Sequence, residues 1–213
     1  EGNIPLIGGL TIYFSILFLI NFIEVDNILI YIFYISFIIL FFGFLDDKFQ
    51  ISITLRLLAQ LTACLIAMSL NIMIIDLGNY LNINLFNLGI FGFILTILSV
   101  IGITNAINFM DGIDGLSSSL SLIALFLIIF YSLQNNTTTN VFLLILLMIC
   151  LIIFLFSNFG YLFPKSFLGD SGSMFLGFFI GWLLIFFTHP DNRNFHPVLA
   201  IWSLSIPAFD LLS

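Results

Sequence analysis

Long apolar runs broken by short polar segments dominate the chain. A helix needs ~20 mostly apolar residues, within a range of ~17–25, to cross a bilayer. Measured against that length, the pattern predicts seven full spans and the start of an eighth. They run from Leu6 to Ile23, Ile28 to Leu45, Ile53 to Ile75, Gly89 to Ile107, Leu116 to Leu133, Val141 to Ser157 and Ser173 to Thr188, with a further run opening at Pro197. Membrane strands are shorter and alternate in polarity, so these runs read as helices. The predicted fold is all-α: one polytopic membrane domain over residues 1–213 with about eight transmembrane helices. Residues 134–140 read as a plain polar linker. The alternation from Asn79 to Leu88 predicts a short hairpin or interfacial stretch.

Composition sharpens this picture. The chain has 213 residues, 62% hydrophobic and 7% charged, against about 45–50% and about 25% in soluble domains. That excludes a disordered chain. Four Lys and Arg residues cannot build the basic surface that nucleic acid requires. Cys64 and Cys150 lie inside apolar runs and read as small buried hydrophobes. The chain starts at Glu1 and stops at Ser213 just after an apolar run, so it reads as an internal piece of a longer membrane protein.

The eleven acids are distributed unevenly. Each span reverses the side of the membrane, so the loops after even-numbered spans share one side. Asp46, Asp47, Asp111, Asp114, Asp170 and Asp210 all fall there, while Glu24, Asp26, Asp76 and Asp191 fall opposite. Lys48, Arg56 and Lys165 accompany the first group, against Arg193 alone on the other side. By the Lys/Arg bias of inner loops the acid-rich face is expected to be cytoplasmic.

Local context separates these acids from ordinary wet helix ends. They occur as Asp46-Asp47, Asp111-Gly-Ile-Asp114-Gly115 and Gly169-Asp170-Ser-Gly172. Acids beside glycine, where backbone approaches a ligand closely, suit divalent-metal and phosphate sites. Mg²⁺ favours one or two carboxylates completed by water and substrate phosphate, an arrangement that phosphoryl transfer uses. Asn105, Asn108 and Asp111 step by three, so at 3.6 residues per turn they stay within an arc of ~120°. Gly112 and Gly115 permit a bend that carries Asp114 to the same pocket. Arg56 and Gln60, spaced i and i+4, share a helix face on which the guanidinium can fork onto a phosphate.

Three ordered motifs carry a family resemblance. The run Asp46-Asp47-Lys-Phe-Gln-Ile-Ser52 with Arg56 and Gln60, the run Asn105-Ala-Ile-Asn108-Phe-Met-Asp111-Gly-Ile-Asp114-Gly-Leu116, and the run Phe167-Leu-Gly-Asp170-Ser-Gly-Ser-Met-Phe-Leu-Gly177 resemble the signatures of the polyprenyl-phosphate N-acetylhexosamine-1-phosphate transferases. The resemblance covers essentially the whole chain. Two branches compete: one makes the first lipid-linked N-acetylglucosamine of O-antigen, common-antigen or teichoic-acid assembly, the other the phospho-N-acetylmuramoyl-pentapeptide lipid of peptidoglycan synthesis. The opening Asn3-Ile-Pro-Leu-Ile-Gly-Gly9, with Pro197 to Trp202 and Ile206 to Asp210, resembles the first.

What the resemblance implies is specific. A UDP-N-acetylhexosamine, here UDP-N-acetylglucosamine, and undecaprenyl phosphate would give the lipid-linked sugar diphosphate and UMP, with Mg²⁺ or Mn²⁺. The setting would be a bacterial inner membrane, with the site facing the cytoplasm. Asp170 would be the metal ligand. Asp46 and Asp47 would handle the lipid phosphate, one of them deprotonating it. Asp111 would be catalytic, Asp114 would lie nearest the base and Phe167 would stack on uracil, with Asn105, Asn108 and Arg56 binding substrate. The family's His-rich motif falls beyond the last residue, and His189 and His196 lie on the opposite side by parity. A coupled transporter is the reading from another class. Its ionisable groups belong near the bilayer midplane, whereas these acids sit at span ends.

Overall fold

The computed structural model describes residues 4–80, 83–84, 88–135, 140–161, 163–203, 205 and 209. Among the described residues eight α-helices follow one another: α1 (Gly8–Leu19), α2 (Asn27–Phe49), α3 (Ile53–Met68), α4 (Ile90–Phe109), α5 (Leu116–Gln134), α6 (Val141–Asn158), α7 (Gly169–Thr188) and α8 (Pro197–Ser203). Residues 79–80 and 83–84 form the antiparallel hairpin expected after α3. The fold is an all-helical, multi-pass membrane architecture.

Span count is where the structure differs from the hydropathy reading. Among the described residues five helices are long and apolar enough to cross a membrane: α2, α5, α6, α7 and α4 with its terminal turn to Gly112. The first apolar helix (Gly8–Phe22, counting a closing 3₁₀ turn) and α3 are shorter. The predicted third span was to continue to Ile75, but α3 stops at Met68. Asn71 takes a left-handed conformation (φ 62°), which ends a helix and which Asn tolerates better than most residues. The apolar residues beyond it therefore run non-helically.

α7 is the axis of the molecule. It is buried along its whole length, whereas the other four long helices bury 33–50% of their most apolar stretch. A helix that is apolar all round needs such cover. Between lipid-like surfaces there is little hydrophobic drive for helices to associate, so small residues that allow backbone contact carry the packing. A Cβ on Gly43 of α2 would stand 2.5 Å from the Ser171 Cα, and one on Gly177 would stand 2.7 Å from the Thr104 Cα of α4. Around these crossings Phe33, Phe175 and Phe179 interlock, with the Tyr13 ring stacked on Phe33 at 4.5 Å.

The helices alternate in direction, which gives the bundle two distinct ends. One gathers the starts of α1, α3, α5 and α7 with the finishes of α2, α4 and α6. The Gly8 and Gly9 N–H groups donate to Phe167 and Leu168 carbonyls there (3.0 and 3.1 Å). At the other end Arg193 meets Asp76 and the Asn140 side chain accepts from the Asp26 N–H (2.9 Å). The segment 134–140 is therefore more than linker at its flanks, since Asn135 also donates to the Asn194 carbonyl.

Candidate active site

At the end of α2 the left-handed Gln50 (φ 51°) stops the helix just past Asp46 and Asp47. Asp46 is buried and accepts from Arg56 Nη1 at 2.6 Å, one turn into α3. Asp47 faces α7, and its two oxygens accept the backbone N–H groups of Asp170 (2.7 Å) and Ser171 (3.1 Å).

α4 contributes its last two turns. Asn105 Nδ2 donates to Gln60 Oε1 at 2.8 Å, and Gln60 Nε2 returns a bond at 3.4 Å. Asn108 Oδ1 accepts from Ser173 of α7 at 2.6 Å, and Asp111 Oδ1 accepts from Ser117 of α5 at 2.6 Å. A 3₁₀ turn over Met110–Gly112 and the left-handed Gly115 (φ 74°) make the predicted bend. In the α6–α7 loop Lys165 Nζ donates to Asp114 Oδ2 at 2.7 Å and lies 5.2 Å from the Phe167 ring centroid. The Phe167 N–H donates to the Pro5 carbonyl at 3.0 Å, so the opening Pro5–Gly9 stretch clamps this loop.

These segments enclose a cavity of about 660 Å³, within the usual size of a small-molecule site. Asp47, Arg56, Asn105, Asn108, Asp111, Asp114, Phe167 and Asp170 all line it. The sequence expectation thus meets in one place for eight of its nine residues. Asp46 does not line the wall and acts on it through Arg56 and Asp170. Gln60 is also off the wall: it is wholly buried and locked to Asn105, so the predicted phosphate face of α3 reduces to Arg56. Asp210 lies outside the described residues, and His189 and His196 are at the far end, beyond α7.

The wall carries four carboxylates against one guanidinium. Asp111, Asp47 and Asp170 are close enough for their charges to act on one another. A cavity so negative is unsuited to a bare phosphate and suited to a hard cation. Among the described residues no three acids converge tightly enough to cage an ion alone. The donor set therefore fits a cation held by one or two carboxylates with water or a ligand completing its shell, as Mg²⁺ prefers.

Sequence reasoning missed the supports. Ser117 and Ser173 fix Asp111 and Asn108, and Lys165 ties Asp114 to Phe167. Their polarity inside or beside apolar spans was the available signal, and only their partners reveal the roles. The carboxylates stand at helix ends beside a cavity, the arrangement that separated a transferase from a transporter.

Comparison with known proteins supplies independent findings. The family model described as glycosyl transferase family 4 matches residues 29–188, which include all nine site residues. Over its entire length the chain is 37% identical to the undecaprenyl-phosphate alpha-N-acetylglucosaminyl 1-phosphate transferase of Pasteurella multocida strain Pm70, covering 61% of that protein. It is 35% identical to the protein of the same name from Haemophilus influenzae, again covering 61%. For Escherichia coli strain K12 the figures are 30% and 59%. The chain thus spans about three-fifths of the length of the curated relatives it matches. On the family match and the motifs that line the cavity, the chain belongs to glycosyl transferase family 4.

Proposed function

We propose that the full-length protein transfers N-acetylglucosamine 1-phosphate from UDP-N-acetylglucosamine to undecaprenyl phosphate and releases UMP. The observation that carries this reading is the 660 Å³ cavity in which the three motifs of the resemblance meet at one end of a membrane bundle. The names of the relatives agree with the substrates. The cavity opens at helix ends, where a water-soluble nucleotide sugar and a lipid headgroup can both arrive.

Phosphoryl transfer demands positioning and neutralisation more than covalent help from the protein. Asp170, with Asp111 beside it, would hold Mg²⁺, which when bound offsets charge on the diphosphate and polarises its oxygens. Arg56, steadied by Asp46, presents a fork to a phosphate. Asn105 and Asn108 have their carbonyl oxygens engaged by Gln60 and Ser173. Their amide N–H groups are thereby oriented, and the Asn108 pair is available to sugar or phosphate oxygens. Phe167 offers a ring face to uracil, and Asp114 an acceptor to its ring N–H. The lipid phosphate oxygen attacks the β-phosphorus, which carries the sugar; the bond to the bridging oxygen breaks, and UMP leaves. On this reading the site faces the cytoplasm of a bacterial inner membrane.

Two experiments test the proposal. Full-length protein given radiolabelled UDP-N-acetylglucosamine and undecaprenyl phosphate should form a labelled, solvent-extractable lipid with equimolar UMP, only with Mg²⁺ or Mn²⁺. Absence of product, or product from UDP-N-acetylmuramoyl-pentapeptide instead, would contradict it. In intact cells a cysteine at 48 should react only with a membrane-permeant thiol reagent, and one at 191 also with an impermeant reagent. The reverse pattern would overturn the orientation.

A further inference from the structure

The family resemblance gives both members of the aspartate pair to the lipid phosphate, yet the surroundings of Asp47 fit another task. Its Oδ1 and Oδ2 receive the N–H groups of Asp170 and Ser171 at 2.7 and 3.1 Å, so both oxygens serve the first turn of α7. The first N–H groups of a helix lack partners within the helix, and its dipole favours an anion at that point. Gly169 closes over the carboxylate: its φ is 76°, and a Cβ there would stand 2.8 Å from Asp47 Oδ2. One turn earlier on α2, Gly43 sets the approach by packing against the Ser171 backbone. Asp46 pairs with Arg56 and also reaches the Asp170 side chain. The pair therefore joins three helices, Asp46 through the Arg56 and Asp170 side chains and Asp47 through the backbone of α7.

We infer that Asp47 is a positioning residue. Its carboxylate fixes the first turn of α7 and with it the Asp170 carboxylate at the cavity wall. This rests on the reading of Asp170 as a metal ligand. Each oxygen of Asp47 commits a lone pair to a backbone N–H of that turn.

Mn²⁺ binding to the full-length protein, followed by electron paramagnetic resonance without turnover, separates the roles. Asn at position 47 keeps one acceptor oxygen with the same reach, and Ala keeps none. The positioning role predicts graded loss: Asp47→Ala weakens Mn²⁺ binding by about 10–100-fold, the effect expected of a residue that orients a metal ligand. Asp47→Asn falls between Ala and wild type, and kcat declines in the same order. Gly169→Ala alters no acid yet displaces Asp47, and should weaken Mn²⁺ binding as Asp47→Asn does; it also decides the matter if the Asp47 variants fail to fold. Two equally inactive Asp47 variants with wild-type Mn²⁺ affinity, or unchanged affinity in Gly169→Ala, would overturn the inference. Wild-type protein that binds no Mn²⁺ would instead overturn the metal reading of Asp170, and this inference with it.

Discussion

The two ends of the bundle use the same residue types to opposite effect. At the far end, polar groups find one another and close. Arg193 Nη2 donates to both oxygens of Asp76 (2.7 and 2.8 Å) and its Nε to the Thr188 carbonyl (3.2 Å), while Asn194 bonds Ser132 at 3.0 Å. At the site end, polar groups also bond neighbours, but they do so around a shared cavity. Ser117 engages one oxygen of Asp111, and Ser173 engages only the carbonyl of Asn108. Acids at helix ends are thus no signature of a site in themselves. What distinguishes the site end is the cavity that its acids and amides line together.

The comparison makes predictions that can be broken, and the most severe concerns Asp170. In the full-length protein Asp170→Asn should lower kcat by at least about 10²-fold, the scale of losing one group that stabilises transferring charge, with an unchanged melting temperature. Near-normal kcat would remove Asp170 from the site. Next is Phe167→Ala. Base stacking on protein aromatics contributes about 1–3 kcal/mol, so KM for the nucleotide sugar should rise about 5- to 150-fold at ~1.4 kcal/mol per decade. Phe167→Tyr should be nearly silent, and an unchanged KM in Phe167→Ala would make this ring mere packing.

Smaller effects on activity are expected away from the wall. Gly43→Ala forces a methyl group to 2.5 Å from the Ser171 Cα; overpacking of this kind costs about 1–3 kcal/mol, and here it should also lower activity because the same crossing seats Asp47 against α7. Loss of stability without loss of activity would uncouple crossing from site. At the far end Arg193→Ala strands Asp76, a pair only 24% and 21% exposed, at about 1–3 kcal/mol for a lost charged hydrogen bond. Its kcat/KM should stay within about twofold of wild type, which a thermal melt and a rate assay check together.

Much of this was legible in the chain because two periodicities are strict. Span length fixes which breaks share a side, and the step of three from Asn105 through Asn108 to Asp111 places all three on one helix face. The span lengths did not all hold, α3 ending at Met68, but the alternation did, since those residues line one cavity with Asp114, Phe167 and Asp170. What stayed hidden depends on contacts between distant segments. Ser69 and Asn71 are brief polar breaks in an apolar run that resumes at once, too short to announce the stop after Met68; the left-handed Asn71 decided it. The seating of Asp47 on α7 needs the α2–α7 crossing, and the polar groups it caps are backbone atoms that no side-chain pattern displays. Likewise Lys165 carried only a charge to count until the fold set it between Asp114 and Phe167.

The central claim is that chemistry belongs to one end of the bundle and stability to the other. Transfer of labelled N-acetylglucosamine 1-phosphate to undecaprenyl phosphate, measured side by side for the wild-type, Asp170→Asn and Arg193→Ala full-length proteins, tests it most directly. Labelled lipid should form at comparable rates with wild type and Arg193→Ala, and at least about a hundredfold more slowly with Asp170→Asn. Comparable rates in all three, or a loss confined to Arg193→Ala, would contradict the account.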